Sequence, residues 1–271
     1  MQKLFLILTA LLITACSGNP NDRREQTEAE HYRDARKLLD RKTYLNAIEQ
    51  FEELEARFPY GDYAEQTQID LVYARYRSLD YPGATAQAER FIRNYPNHPH
   101  VDYVLYIRGL AHYYMVQGML DRVLGSDKAQ RDLATLRDAF ADFDELVRRY
   151  PDSPYAADAR SRMVHIRNLQ AEQELIAARY YARRQAYIAA ANRAQYVIRH
   201  FQQTPSVPEA LAILSKSYES LDQPVLAGNS RRLLQENWPD SLWLENNNVE
   251  IEWWPSGDRT WLSLLTFDLL K

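Results

Sequence analysis

Few side chains in this 271-residue sequence could carry covalent or metal chemistry. There is one thiol, Cys16, so no internal disulfide can form. A lone cysteine is usually a small buried packing residue. Cys16 instead stands just beyond an apolar N-terminal stretch, Leu4 to Leu12, where modification of the sulfur is the expected chemistry. His98 and His100 have the spacing of two metal ligands, but they lie in a proline-rich corner with no acidic or Cys partner at ligand spacing, so a turn role is expected. His112 and His165 stand alone in helical segments and read as packing or surface residues, and Glu52-Glu53 reads as a solvated helix face. Eight scattered glycines draw neither a G-x-G-x-x-G turn nor a phosphate loop. No catalytic constellation emerges, so the expectation is a non-enzyme with no metal or cofactor beyond lipid on Cys16.

The element that would position Cys16 is an address. Met1-Gln2-Lys3 gives a short positive start, the apolar run follows, and Ile13-Thr14-Ala15 leads into the cysteine. That is the layout of a secretory signal peptide over residues 1–15, too short to span a bilayer as a helix. The cysteine at the cleavage point resembles a bacterial lipobox, with Ile13 where Leu is commoner. Two or more acyl chains on one residue give stable anchoring, at about 0.8 kcal/mol per buried CH2. Ser17 after the cysteine implies outer-membrane delivery among lipoproteins of this kind. Residues 16–27 are polar, with Gly, Pro and Asn, and read as a flexible tether.

Composition constrains the remainder. Thirty-three basic and 37 acidic side chains give a net charge of -4, which argues against a nucleic-acid binder. Alanine alone numbers 31, nearly matching the 33 of Val, Ile and Thr together, so an all-β fold is not expected. Aromatic–proline pairs recur at Phe58-Pro59, Tyr95-Pro96, Tyr150-Pro151 and Trp238-Pro239, with Phe201 and Pro205 as a looser fifth case. The prolines are 37, 55, 54 and 34 residues apart, and two of these spacings approach the tetratricopeptide period. Proline lacks an N–H and disfavours helix in the residue before it, so each pair should end a helix. Prolines three residues further on, Pro99, Pro154 and Pro208, suit the first turn of the next helix.

Apolar stripes of helical period precede each pair. Ala47, Phe51 and Leu54 lead to Phe58; Ala84, Ala88 and Phe91 to Tyr95; Phe140, Phe143 and Leu146 to Tyr150; Ala191, Ala194 and Val197 to Phe201. Leu79-Asp80-Tyr81-Pro82 and Leu221-Asp222-Gln223-Pro224 look like near copies of one turn. The expected fold is all-α, a tetratricopeptide-like helical repeat solenoid of about five helix pairs over residues 28–240. The pairs are placed at 28–58, 62–95, 99–150, 154–201 and 206–238. A loop-like insertion is expected near Gly118 to Asp132, and Tyr155 to about Tyr181 as one long helix. Stacked pairs of this type present a surface that binds peptides.

Particular strings carry a closer resemblance. Arg57 to Tyr63, Gln66 through Ala74, and above all Asp102 to Leu110 resemble the BamD family, lipoproteins of the β-barrel assembly machinery of Gram-negative outer membranes. Tyr180-Tyr181, Arg184, Ala186 and Asn192-Arg193 add to it, and the similarity runs from about Cys16 to Asp240. The resemblance implies a non-catalytic scaffold on the periplasmic face of the outer membrane, held there by lipid. It implies docking on the last POTRA domain of BamA through the C-terminal repeats, with Arg193, Asn192 and Arg184 as contacts. BamC and BamE, where present, and unfolded outer membrane β-barrel proteins are the other implied partners. For the substrate peptide it points to the N-terminal repeats. There Tyr60, Gly61, Tyr63, Gln66, Tyr73 and Tyr76 can line a groove with flat rings and polar handles. Asp70, Asp102, Tyr103 and Arg108 add charge and a further ring. A different reading with the same anchor and fold is a periplasmic tetratricopeptide lipoprotein that organises cell-wall enzymes.

The tail, residues 241–271, extends beyond the last repeat. All five tryptophans stand at or after Trp238. A wet–dry boundary at a membrane or partner would suit them, as would folding back to cap the last repeat.

Overall fold

The computed structural model describes residues 26–115, 134–246 and 248–255. These form ten α-helices and one small hairpin. The helices are α1 (Glu28–Asp40), α2 (Tyr44–Arg57), α3 (Ala64–Arg77), α4 (Tyr81–Asn94), α5 (Val101–Met115), α6 (Ala134–Arg149), α7 (Ala156–Arg183), α8 (Tyr187–His200), α9 (Val207–Ser220) and α10 (Pro224–Asn237). They pack as successive antiparallel pairs, and the fold is the all-α, tetratricopeptide-like array that the periodicity predicts. The chain forms two compact units that divide between Ile107 and Arg108, inside α5.

One corner, repeated five times, ends the second helix of each pair. Phe58, Tyr95, Tyr150, Phe201 and Trp238 each donate a backbone N–H to the carbonyl four residues back, at 2.8 to 2.9 Å. The carbonyl of each then accepts from the residue three further on: Gly61, His98, Ser153, Thr204 and Ser241. Four of the five have closely similar backbone angles, φ from -129° to -139° and ψ from 43° to 64°. The corner corrects the proline register. Pro205 stands where Pro99 and Pro154 stand, and Gln202 replaces the first proline. Of the three prolines expected to open helices, Pro99 and Pro154 precede their helices and Pro208 alone lies in a first helical turn. Counted by aromatic residue the spacings are 37, 55, 51 and 37. The excess of the 51 over 37 is supplied by α7, which at 28 residues is twice the length of α3 or α9.

Within pairs a second device recurs. Lys42, Leu79, Gln185 and Asp222 have φ of 61°, 68°, 59° and 54°. Each donates its N–H three residues back while the next residue donates five back, as from Lys42 to Leu39 and from Thr43 to Leu38. This is the Schellman ending, here built without glycine. It also separates the two turn strings that look alike: the left-handed residue is Leu79 in one and Asp222 in the other, one position out of register.

The core follows the stripes. In the first unit Ala35, Ala47, Phe51, Leu54, Leu71 and Ala74 form one buried cluster. In the second, alanines of α7 and α8 pack with Leu211, Ile213 and Leu234. Small alanines let helix axes approach closely, so the large rings carry the contact area. Gly109 of α5 has the same role in the extreme: a Cβ there would lie 2.6 Å from the Phe143 ring.

Candidate functional site

In the first unit α3 carries most of the residues expected at a peptide groove. Tyr60 projects from the corner before α3 and is 98% exposed. Gly61 lets the Glu28 carboxylate approach closely, since a Cβ would fall 2.1 Å from it and push that side chain aside. That carboxylate accepts the N–H groups of Asp62 (3.1 Å) and Tyr63 (2.8 Å), so the first residue of α1 caps the start of α3. The Tyr63 ring stacks on Tyr32 at 4.5 Å.

Two turns later Asp70 is buried, and three donors converge on it. They are the Tyr32 hydroxyl (2.9 Å), Arg36 Nη1 (2.9 Å) and Gln66 Nε2 (3.2 Å). Burial pushes the Asp70 carboxyl up from its ordinary value, against the pull of Arg36 and of its hydrogen bonds. Burial and the Asp70 charge together raise the Tyr32 hydroxyl. The Asp70 carboxylate therefore ties α3 to α1. Tyr32 and Arg36 lie outside the sequence expectation, although their i, i+4 spacing places them on one face of α1. Farther along α3, the Tyr73 hydroxyl accepts from Arg77 Nη1 (2.7 Å), and the Arg77 guanidinium lies 5.2 Å over Tyr44. Tyr76 sits 6.0 Å from Tyr81. Asp102 and Tyr103 open α5, where the Tyr103 N–H meets the Asp102 carboxylate at 2.7 Å.

Arg108 belongs to the second unit. Its guanidinium holds Asp142 of α6 (2.6 Å) and Glu145 (3.3 Å), while His112 Nδ1 meets the other Asp142 oxygen at 2.7 Å. His112 is thus part of a charged brace between α5 and α6. A comparable brace joins α7 to α9. Arg179 grips Glu209 with Nε (2.5 Å) and Nη2 (2.8 Å), and it also holds Glu172. These hydrogen bonds, to Glu209 first, keep the Arg179 guanidinium charged.

The residues expected at a BamA contact lie on α8 and the turn before it. Arg193 is 46% exposed and pairs with Glu174 of α7 at 2.9 Å, a contact that raises its pKa. Asn192 is exposed on the same turn of helix. Ile188 (66% exposed), Asn192 and Tyr196 (46%) follow at i, i+4, i+8 and form one stripe. Arg184 lies over the Tyr180 ring at 5.4 Å, before this helix. Exposed apolar side chains in line with an arginine compose an interaction surface better than a solvated face does.

Among the described residues, three tryptophans and a hairpin follow the last corner. β1 (Leu244–Glu245) pairs with β2 (Asn248–Val249), and Asn246 supplies the positive φ between them. Val249 and Ile251 enter the core of the second unit, joined by Trp243, Trp253 and Trp254. Trp254 stacks on Tyr187 at 5.7 Å, and Arg183 lies 5.4 Å over Trp253. Residues 241–255 thus fold back on the last repeats. Cys16, the 118–132 insertion and Trp261 lie outside the described residues.

Glu65 approaches His98 at 3.4 Å, a neighbour from another helix that local spacing could not reveal. Among the described residues no group of three or more His, Cys, Asp or Glu is placed to hold a metal ion, and no helix is long and apolar enough to cross a membrane.

Comparison with known proteins gives a consistent result. The sequence matches the YfiO family, described as outer membrane lipoprotein, over residues 24–233. It is 39% identical to the outer membrane protein assembly factor BamD of Neisseria meningitidis serogroup B, over 94% of this chain and 98% of that one. It is 37% identical to BamD of Vibrio cholerae over 87% and 98% of the two chains, and 30% identical to BamD of Haemophilus influenzae over 88% and 90%.

Proposed function

The chain belongs to the YfiO family of outer membrane lipoproteins, the family of the BamD assembly factors, and from that premise we propose that it is a non-catalytic scaffold of β-barrel assembly. An outer membrane protein assembly role comes with the family. The finer reading has three parts. Lipid on Cys16 holds the protein to the periplasmic face of the outer membrane. The α8 surface docks on the POTRA region of a BamA-type barrel, with BamC- and BamE-type lipoproteins joining where present. The first unit offers Tyr60, Tyr63, Gln66, Tyr73 and Tyr76 to unfolded β-barrel segments, over a floor braced by Asp70.

The observation that carries the docking reading is the α8 stripe beside Arg193. A guanidinium can donate to two carboxylates in its plane, so an acid on BamA can join Glu174 at Arg193 without displacing it. Binding of the purified POTRA fragment, measured by surface plasmon resonance, tests this. Arg193→Glu is expected to weaken affinity by tenfold or more, with helix content unchanged by circular dichroism. Glu174→Gln leaves the arginine in place and is expected to retain binding. Unchanged affinity in Arg193→Glu would remove α8 from the interface.

A further inference from the structure

The second unit contains a cleft of about 560 Å³ between α6, the first half of α7 and the corner after α8. Its apolar floor includes Phe140, Val147, Met163 and Phe201. A smaller hollow of about 280 Å³ shares Phe140, Arg167, His200 and Phe201 with it and extends it to Arg137 and Tyr196. Arg137, Arg160, Arg167 and Arg199 surround these hollows, and all four are exposed. No acidic side chain lines either hollow among the described residues, in a chain whose acids outnumber its bases. Arg108, Arg179 and Arg193 of this unit sit against carboxylates. Here Arg167 instead donates to the His200 carbonyl (3.0 Å) and lies 5.1 Å over Phe140, and Arg160 donates to the Pro151 carbonyl (3.3 Å). Four guanidinium groups thus surround a hollow that has an apolar floor and, among the described residues, no acidic lining.

We propose that this cleft is a docking site for an acidic polypeptide segment that places one or two large apolar side chains between the arginines. Charge complementarity selects acidic residues, and guanidinium forks suit carboxylates. Side-chain amides around the cleft, Asn168, Gln170, Gln202 and Gln203, each offer a donor and an acceptor, which is what the main chain of a peptide requires. The floor has room for one or two side chains of a peptide. The site is separate from the Arg193 contact, although Tyr196 and His200 belong to both the cleft and the exposed side of α8.

The test is fluorescence anisotropy with the full mature chain in detergent. The probe is a fluorescein-labelled dodecapeptide of alternating acidic and Leu or Phe residues; the control carries Lys at the acidic positions. The acidic peptide is expected to bind saturably and to weaken as salt rises, and the control to show no saturable binding. The doubly reversed variant Arg137→Glu/Arg160→Glu changes two exposed side chains, neither of them on α8. It is expected to lose affinity for the acidic peptide about tenfold or more, with helix content and POTRA affinity both retained. Equal binding of the two peptides, or wild-type affinity in the double variant, overturns the proposal. Arginine-dependent binding of phosphatidylglycerol vesicles without peptide binding also overturns it and assigns the cleft to lipid headgroups. Loss of POTRA affinity together with peptide affinity merges the cleft with the α8 interface and likewise overturns it as a separate site.

Discussion

Glu28, Gly61 and the start of α3 form a contact that a single methyl group can disrupt. In Gly61→Ala the new Cβ would occupy the position of the Glu28 carboxylate, and the N–H groups of Asp62 and Tyr63 would lose their acceptor. The expected loss is about 1 kcal/mol, the usual value of a helix cap, by urea denaturation. The same substitution made in Glu28→Ala should cost far less, because nothing remains to displace; an equal cost in both backgrounds would refute the capping role. Gly109→Ala drives a methyl group into the buried Phe143 ring and should cost about 2–3 kcal/mol. Asp70 gives a pH-dependent prediction. Its folded pKa lies above the ordinary 3.8, so between those two values the folded chain keeps a proton that the unfolded chain has released. Asp70 therefore opposes folding increasingly as pH rises through that window. The stability of the wild type relative to Asp70→Asn should fall from pH 4 to neutral pH; a rise would mean that Arg36 outweighs burial. The sequence displays Asp70 but not its role, because Tyr32 and Arg36 stand 38 and 34 residues away and only folding brings them together.

Helices were legible in the sequence because alanine and aromatic positions repeat with helical period, and their ends because an aromatic residue precedes a proline. The register of the fourth corner was not legible, since Gln202 occupies the place of the first proline while hydrogen bonding forms the same turn. Two of the pair-internal turns were legible, at Leu79-Pro82 and Leu221-Pro224, but their left-handed residues were hidden for another reason. A left-handed residue is normally announced by glycine, and here Lys42, Leu79, Gln185 and Asp222 adopt it. A β-carbon in that conformation raises the energy, so Lys42→Gly, at an exposed position, is expected to stabilise the protein by about 0.5–1 kcal/mol, less what glycine loses in unfolded-state entropy. A lower thermal midpoint would show that the Lys42 side chain contributes more than its backbone strain removes.

Across the whole chain, family membership was readable from short strings, above all Asp102 to Leu110, in which Gly109 meets Phe143 and Arg108 meets Asp142. The arginine-lined cleft was not, because its lining comes from α6, α7 and α8, and only in the fold do those arginines stand together. On the proposed anchoring, Cys16→Ala should move the protein from the membrane pellet to the soluble periplasmic fraction; undiminished sedimentation would transfer the anchoring to partners. The last corner has a different kind of consequence. Trp238 to Leu244 makes the same turn that elsewhere launches a new helix pair, yet a hairpin follows, and β2 packs on α9, the helix that itself packs on α7. In the terms of polymer growth the hairpin is a chain terminator. It covers the face of the last repeat on which a further helix pair would stack. Deleting the hairpin would leave a reactive terminus, and protein molecules would then be expected to add to one another end to end.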